Sequence, residues 1–103
     1  MNVYTATSGD EHKVTLSGRF DFSAHKEFRQ GYDPVLSNTG VRALVVDLSA
    51  VDYVDSAALG MLLLMQERAT AANKQVVLLE PKGTAKQVLE VANFHKLFTI
   101  KRN

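Results

Sequence analysis

The sequence predicts a small α/β domain with a mixed β-sheet, made of an opening antiparallel hairpin and a later βαβ unit, with helices packed on it. Three observations predict this fold. Residues 13–17 alternate polar and apolar side chains, as in a strand with one buried face. Residues 43–46 and 75–79 are almost continuously apolar, which is typical of buried strands in a parallel sheet. Between them, residues 56–72 are rich in helix-favouring Ala, Leu, Met, Gln and Glu.

The N-terminal part contains the predicted hairpin and a first helix. Val3–Thr7 is a strand candidate, and the turn residues 8–10 connect it to the alternating strand. A helix is expected from about Ser23 to Asp33, where it buries Phe28 and Tyr32 on one face.

The C-terminal part is predicted to complete the sheet. The connection between the two apolar strands is expected to be right-handed. Thr84 followed by Gln87 is a capping-box pattern that opens a helix ending near Val91. Residues 97–100 supply a final short strand.

Composition limits the classes of function. A chain of 103 residues predicts one domain over residues 1–103. The net charge of +1 gives no basic footprint for nucleic acid, and the absence of cysteine excludes disulfides, thiol nucleophiles and cysteine-based zinc sites. The N-terminus has no secretory signal pattern, and the longest apolar run, residues 61–65, is too short to span a bilayer. We expect a cytoplasmic protein that needs no metal or cofactor and binds no membrane.

The most informative segment connects the buried strand predicted at residues 43–46 to the helix that begins near Ser56. In open α/β sheets, ligands and chemistry usually lie at this carboxyl edge of the strands. Asp55 or Ser56 is a natural N-cap for the helix. Two interpretations of Ser56 stay open from these residues: a structural cap, or a group with a function of its own.

The helix after Ser56 is apolar on nearly all sides for two turns. At about 100° per residue, one face is expected to pack on the sheet, and it comprises Leu59, Leu62, Leu63 and Gln66. The opposite face comprises Met61, Leu64 and Met65, beside Arg68. This opposite face is either buried by other elements or used as a contact surface for a partner.

The segment Asp55-Ser56-Ala57-Ala58-Leu59-Gly60 resembles the signature of the stand-alone STAS domains that act as anti-sigma factor antagonists, Asp-Ser-Ser-Gly-Leu-Gly. Residues 18–21, Gly-Arg-Phe-Asp, and residues 94–98, Phe-His-Lys-Leu-Phe, are also similar to this family. The resemblance covers essentially the whole chain and implies the STAS fold.

The resemblance also implies roles for individual residues. Ser56 matches the serine that a partner kinase phosphorylates, and Asp55 and Asp21 match acidic residues near it. The chain departs from the family pattern twice, because Ala57 replaces a second serine and Ala58 replaces a glycine. Ser56 is therefore the only acceptor in the motif.

Members of the family are binding modules and not enzymes. The resemblance implies an unphosphorylated form that binds an anti-sigma factor, often a serine kinase of the histidine-kinase-like ATPase type. Phosphorylation of Ser56 ends that complex, and a PP2C-type phosphatase reverses the modification. The alternative within the same fold is an adaptor or scaffold that works without phosphorylation, including one associated with lipids or transport.

Other classes of function have less support. A serine hydrolase would need a base near Ser56, and the only candidates are His12, His25 and His95. The sequence also lacks the Gly-x-Ser-x-Gly elbow of such enzymes. A phosphorelay receiver would use Asp47, Asp52 and Asp55, but the opening hairpin does not fit that fold. No His and acid pair has the helical spacing of a metal site, and Lys82-Gly83 lacks the rest of a phosphate loop.

Overall fold

The chain forms one five-stranded sheet with three helices in a computed structural model that describes residues 1–102. The strands are β1 (Asn2–Ser8), β2 (Glu11–Phe20), β3 (Ala43–Val54), β4 (Gln75–Leu79) and β5 (Thr99–Lys101). The helices are α1 (His25–Tyr32), α2 (Ser56–Ala71) and α3 (Gly83–Val91). Short 3-10 turns lie at Phe22–Ala24, Asp33–Val35 and Phe94–Lys96.

The strands lie in the sheet in their chain order, from β1 to β5. β1 and β2 are antiparallel and joined by a tight turn in which Gly9 has φ +61°. The pairs β2–β3, β3–β4 and β4–β5 are parallel. The predicted mixed sheet, with its opening hairpin and βαβ unit, is confirmed.

β3 is longer than the apolar run that predicted it. The sequence placed the end of this strand at Asp47, but pairing with β2 continues to Phe20↔Val54. Register shifts interrupt the ladder near Ser17 and Gly18, where Gly18 has φ +98°. These irregularities break the two-residue alternation on which the sequence prediction depends. The longer strand carries the chain directly to Asp55.

One hydrophobic core lies between the sheet and the helix layer. Its buried side chains include Leu16, Leu44, Val46 and Leu78 from the sheet and Phe28, Tyr32, Leu62, Met65 and Leu89 from the helices. Because all three helices share this cluster with alternate strand residues, they cover the same face of the sheet. Phe28 and Tyr32 are buried as predicted. Among the helices of residues 1–102, none has the length and apolar character needed to cross a bilayer.

The other face of the sheet has no helix over it and carries an ion pair between Lys13 Nζ and Asp47 Oδ2 at 3.5 Å. Burial raises the pKa of the Asp47 carboxyl, but hydrogen bonds from Ser49 and the nearby Lys13 ammonium outweigh it. The pKa of Asp47 therefore lies below its ordinary value. The Ser49 amide donates to Asp47 Oδ1 at 2.9 Å.

The start of α3 differs from its prediction. Lys82 is the N-cap residue and makes no side-chain cap bond, and Thr84 already lies inside the helix. The predicted capping box of Thr84 and Gln87 is therefore wrong. Gly83, with φ +54°, begins the helix one residue before Thr84 and shifts the cap position away from the threonine.

Candidate functional site

The first turn of α2 is capped by Asp55. Its backbone is extended, and its Oδ1 accepts a hydrogen bond from the Ala58 amide at 2.9 Å. This contact satisfies one of the free amides at the helix start. Of the two interpretations left open for Ser56, the structural cap is therefore wrong, because the neighbouring aspartate takes that role.

Ser56 is the first residue of α2, and its side chain is exposed. Within residues 1–102 its hydroxyl has no hydrogen-bond partner. The helix dipole and the free first-turn amides favour negative charge at this place. Ala58, which replaces the family's glycine, has normal helical placement and a fully buried methyl group, so the first turn tolerates the replacement.

Asp21 lies at the same edge as Ser56 because the ends of β2 and β3 are neighbours. The Asp55 amide donates to the Phe20 carbonyl at 3.4 Å, which joins the end of β2 to the start of α2. Asp21 Oδ1 accepts hydrogen bonds from the Ser23 hydroxyl and from the Ser23 amide at 3.0 Å. The Ser23 hydroxyl is the main reason that the pKa of Asp21 lies below its ordinary value. The lowered pKa favours the ionised carboxylate at the start of this turn.

Phe22, which the sequence analysis missed, is an exposed aromatic residue beside Asp21. Its side chain is 64% exposed and stacks on His25 with ring centroids 4.6 Å apart. The turn fixed by Asp21 and Ser23 places this ring on the surface, two residues after Phe20, whose carbonyl accepts the hydrogen bond from the Asp55 amide. The sequence could have indicated this residue, because the phenylalanine directly follows Asp21, which matches an acidic residue of the family.

The buried face of α2 is rotated from the one that the sequence predicted, although Leu62 is buried as expected. The residues that contact the core are Ala58, Leu62, Met65 and Ala69. Met65 has no exposed surface, so its assignment to an open contact face is wrong. Leu63, predicted to pack on the sheet, is 39% exposed. The predicted face differs because it was assigned from the large apolar side chains alone. The small residues Ala58 and Ala69 lie on the side of α2 that faces the core.

Of the other predicted contact residues, Met61 and Arg68 lie on the α1 side of α2, whereas Leu64 does not. Met61 is half-buried and packs against the core. Arg68 forms an ion pair with Asp33, with Nη1 to Oδ1 at 3.6 Å. Leu64 remains on the surface and is 42% exposed.

One solvent-exposed stripe runs along α2 from Ser56. We call it the Ser56 face; its residues are Ser56, Gly60, Leu63, Leu64 and Glu67. At about 1.5 Å of rise per residue, Leu63 lies roughly 10 Å along the helix axis from Ser56. The hydroxyl and two exposed leucines therefore share one surface, as a contact site for a protein partner requires.

A shallow apolar cleft adjoins the Ser56 face on its α3 side. It has a volume of about 300 Å³ and is lined by Leu59, Gln87, Val88, Val91 and Ala92. Val91 is 85% exposed, a high value for a valine on the surface of a small domain. The cleft extends the apolar surface beyond α2 and offers room for a side chain of a partner.

The histidines are engaged elsewhere. His12 is buried and hydrogen-bonded to the Thr7 hydroxyl at 2.8 Å and to the Gly31 carbonyl at 2.7 Å. His25 stacks on Phe22, and His95 is exposed in the last 3-10 turn. In the described part of the chain, none of them is hydrogen-bonded to Ser56, which is the contact that a hydrolase triad needs.

Comparisons with known proteins identify the family. Residues 3–100 match the family described as "Mlab, STAS domain". A STAS-domain containing protein of Pseudomonas aeruginosa is 40% identical over 100 residues, 97% of each chain. The solved anti-sigma factor antagonist SpoIIAA is 16% identical; its unphosphorylated form superposes with TM-score 0.84 over 99% of this chain and 88% of that one. An anti-sigma factor antagonist from Mycobacterium paratuberculosis gives TM-score 0.82 at 22% identity, over 96% of this chain and 83% of that one. The chain belongs to the STAS-domain family.

Proposed function

We propose that this protein is an anti-sigma factor antagonist that binds an anti-sigma factor in its unphosphorylated form and is released by phosphorylation of Ser56. One observation carries the proposal: Asp55 caps α2, which leaves the exposed Ser56 hydroxyl without a structural task. The partner is an anti-sigma factor that is itself a serine kinase of the histidine-kinase-like ATPase type, and a PP2C-type phosphatase restores the free serine. The protein acts as a binding module in the cytoplasm, not as an enzyme.

The electrostatics of the helix start support such a switch. A phosphoserine carries about −1.5 to −2 charges at neutral pH. The α2 dipole and free amides stabilise that charge by roughly 0.3–1 kcal/mol, so the fold survives the modification. Asp55 and Asp21 add negative charge at the same edge. A partner that covers this surface must desolvate the phosphate beside these carboxylates.

The expected size of the switch follows from that desolvation. An uncompensated charge buried in an interface costs roughly 2–5 kcal/mol. This cost corresponds to a loss of affinity of about 30-fold to several thousand-fold. The switch therefore needs no large conformational change in this chain.

The proposed contact surface consists of the Ser56 face, the cleft beside α3 and the Phe22 ring. This surface shares only Leu64 with the contact face of α2 expected from the sequence. Met65 is buried, and Met61 and Arg68 lie toward α1. This surface includes exposed large apolar side chains, among them Leu63, Leu64 and Phe22. Large apolar side chains of this kind supply most of the binding energy in protein interfaces.

The test is ATP-dependent phosphorylation of the purified protein in lysate of the native host, mapped by mass spectrometry. We expect one phosphoryl group on Ser56 that is absent from Ser56→Ala. Ser23→Ala is the matched control, because the Ser23 hydroxyl is close by but bonded to Asp21, and it should be modified like the parent protein. A phosphoryl group that persists in Ser56→Ala refutes the assignment.

A second outcome separates the switch from the adaptor alternative. If the protein stays unmodified while phosphatases are inhibited and ATP is present, it is a STAS adaptor or scaffold that works without phosphorylation. If it is modified, Leu63→Asp should weaken binding of the isolated kinase without loss of secondary structure. Glu27→Asp, an exposed change on α1, is the control for that measurement.

A further inference from the structure

β1 forms one edge of the sheet and is paired on one side only. Its residues Asn2–Ser8 pair with β2 one to one, without a bulge, and no strand of residues 1–102 lies on its outer side. An edge strand of this kind directs alternate backbone N–H and C=O groups outward. Residues 4–8 are all exposed, so this edge is accessible.

The two edges of the sheet differ in their protection. β5 has three residues, ends on Lys101 and is followed by Arg102. Short length and positive charge are the features by which proteins prevent an edge from pairing with another chain. β1 has seven residues with the sequence Asn-Val-Tyr-Thr-Ala-Thr-Ser, which contains no charged residue and no proline. Of the two edge strands, only β5 therefore has the features that prevent pairing with another chain.

We propose that β1 pairs antiparallel with β1 of a second copy of this chain, about a two-fold axis at Thr5, so that two sheets become one of ten strands. We infer a second copy of this chain as the partner because the strand is complementary to itself. In this register Tyr4 lies opposite Ala6 of the second copy, and Val3 lies opposite Thr7. The first pair joins a large side chain to a small one, the second joins two side chains of similar size, and no like charges meet. A two-fold axis requires such an edge to match itself.

The position of α1 leaves the edge clear. A Cβ on Gly31 would lie 3.3 Å from Val3 Cγ1 and 3.5 Å from Thr5 Cγ2. α1 therefore packs down on the helix-side face of β1, while Tyr4, on the other face, is 62% exposed. The edge between these two faces is open to a further strand.

The dimer is expected to be weak. A contact through seven residues of one strand buries less than the roughly 1,200–2,000 Å² of a stable interface. We therefore expect a dissociation constant on the order of 0.1 mM. The dimer does not involve the Ser56 face, so this proposal stands or falls independently of the phosphorylation switch.

Sedimentation equilibrium of the purified protein over about 0.01 to 1 mM, a range that brackets this constant, tests the proposal. The mean mass should rise toward twice that of the monomer. Thr5→Lys places two like charges at the axis and should weaken association by about two- to fivefold. Thr99→Lys, the same change on the β5 edge, should have no effect. A protein that remains monomeric at the highest concentration overturns the proposal, and so does equal weakening by both variants, which would indicate pairing of β1 with β5.

Cross-linking gives a second test if Thr5→Lys fails to fold. The chain has no cysteine, so Thr5→Cys introduces a single thiol per chain at the axis. Opposed residues in an antiparallel pair have Cα atoms about 4.5–5.5 Å apart, within the range for a disulfide. Mild oxidation should give a covalent dimer of Thr5→Cys much faster than of Thr99→Cys. Equal rates for the two variants contradict the proposed register.

Discussion

Replacing Asp55 and Ser56 one at a time tests which of the two residues stabilises α2. Asp55→Ala removes the hydrogen bond to the Ala58 amide at 2.9 Å and the negative charge at the positive end of the helix. We expect a loss of about 1 kcal/mol in the free energy of unfolding. For a domain of this size, that loss lowers the melting temperature by about 4–8 °C. Ser56→Ala removes an exposed hydroxyl and should change stability by no more than about 0.5 kcal/mol.

The assay is urea denaturation followed by circular dichroism, with thermal melts as a check. Asp55→Asn is the matched control, because asparagine caps helices as well as aspartate does and should restore the stability lost in Asp55→Ala to within a few tenths of a kcal/mol. A cost of about 1 kcal/mol for Ser56→Ala together with no cost for Asp55→Ala would refute the assignment of the cap to Asp55. Ser56 would then be the cap, and the observation that carries the proposed function would be lost.

The remaining predictions concern packing and pH. Met65→Ala should lower the free energy of unfolding by about 2–5 kcal/mol because the side chain is fully buried, while Leu64→Ala should lower it by well under 1 kcal/mol. Similar losses in the two variants would contradict the assignment of Met65 to the buried side of α2 and Leu64 to the exposed side. Gly60→Ala should stabilise the protein by about 0.5–1 kcal/mol, since a Cβ there meets no atom within 4 Å. Gly31→Ala should destabilise it, because a Cβ there crowds β1 and β2 at 3.3–3.5 Å; thermal melts compare the pair. Asp47 has a lowered pKa in the folded state, so its contribution to stability is present above its unfolded pKa of about 3.9 and is lost as the pH falls through the folded value. Asp47→Asn should therefore lower stability at pH 7 and reduce its decline on acidification, and an unchanged acid limb in urea titrations would show that the carboxylate contributes nothing.

Local patterns in the sequence determined most of the elements and their types. The alternation in β2 and the apolar run in β4 show which faces of a strand are buried, and the composition of α2 shows its preference for a helix, so the local sequence displays all three directly. The motif from Asp55 to Gly60 likewise identified the family and pointed to the candidate site without coordinates. β3 was underestimated, because its second half is held by an irregular ladder with a strand that lies far away in the chain.

Which side of α2 faces the solvent was decided only by the tertiary structure. The helix is apolar nearly all round, so its pattern does not fix its rotation, and packing selected the side with Ala58 and Ala69, which allow the helix to approach the core closely. That rotation buries Met65 and leaves Leu63 beside Ser56 on the surface. The accessibility of the serine and the open edge at β1 depend on how separate parts of the chain pack together, whereas the cap on Asp55 is a local contact with the Ala58 amide. The sequence alone determined the motif and the class of fold, and the packing of distant segments determined which surfaces a partner can reach.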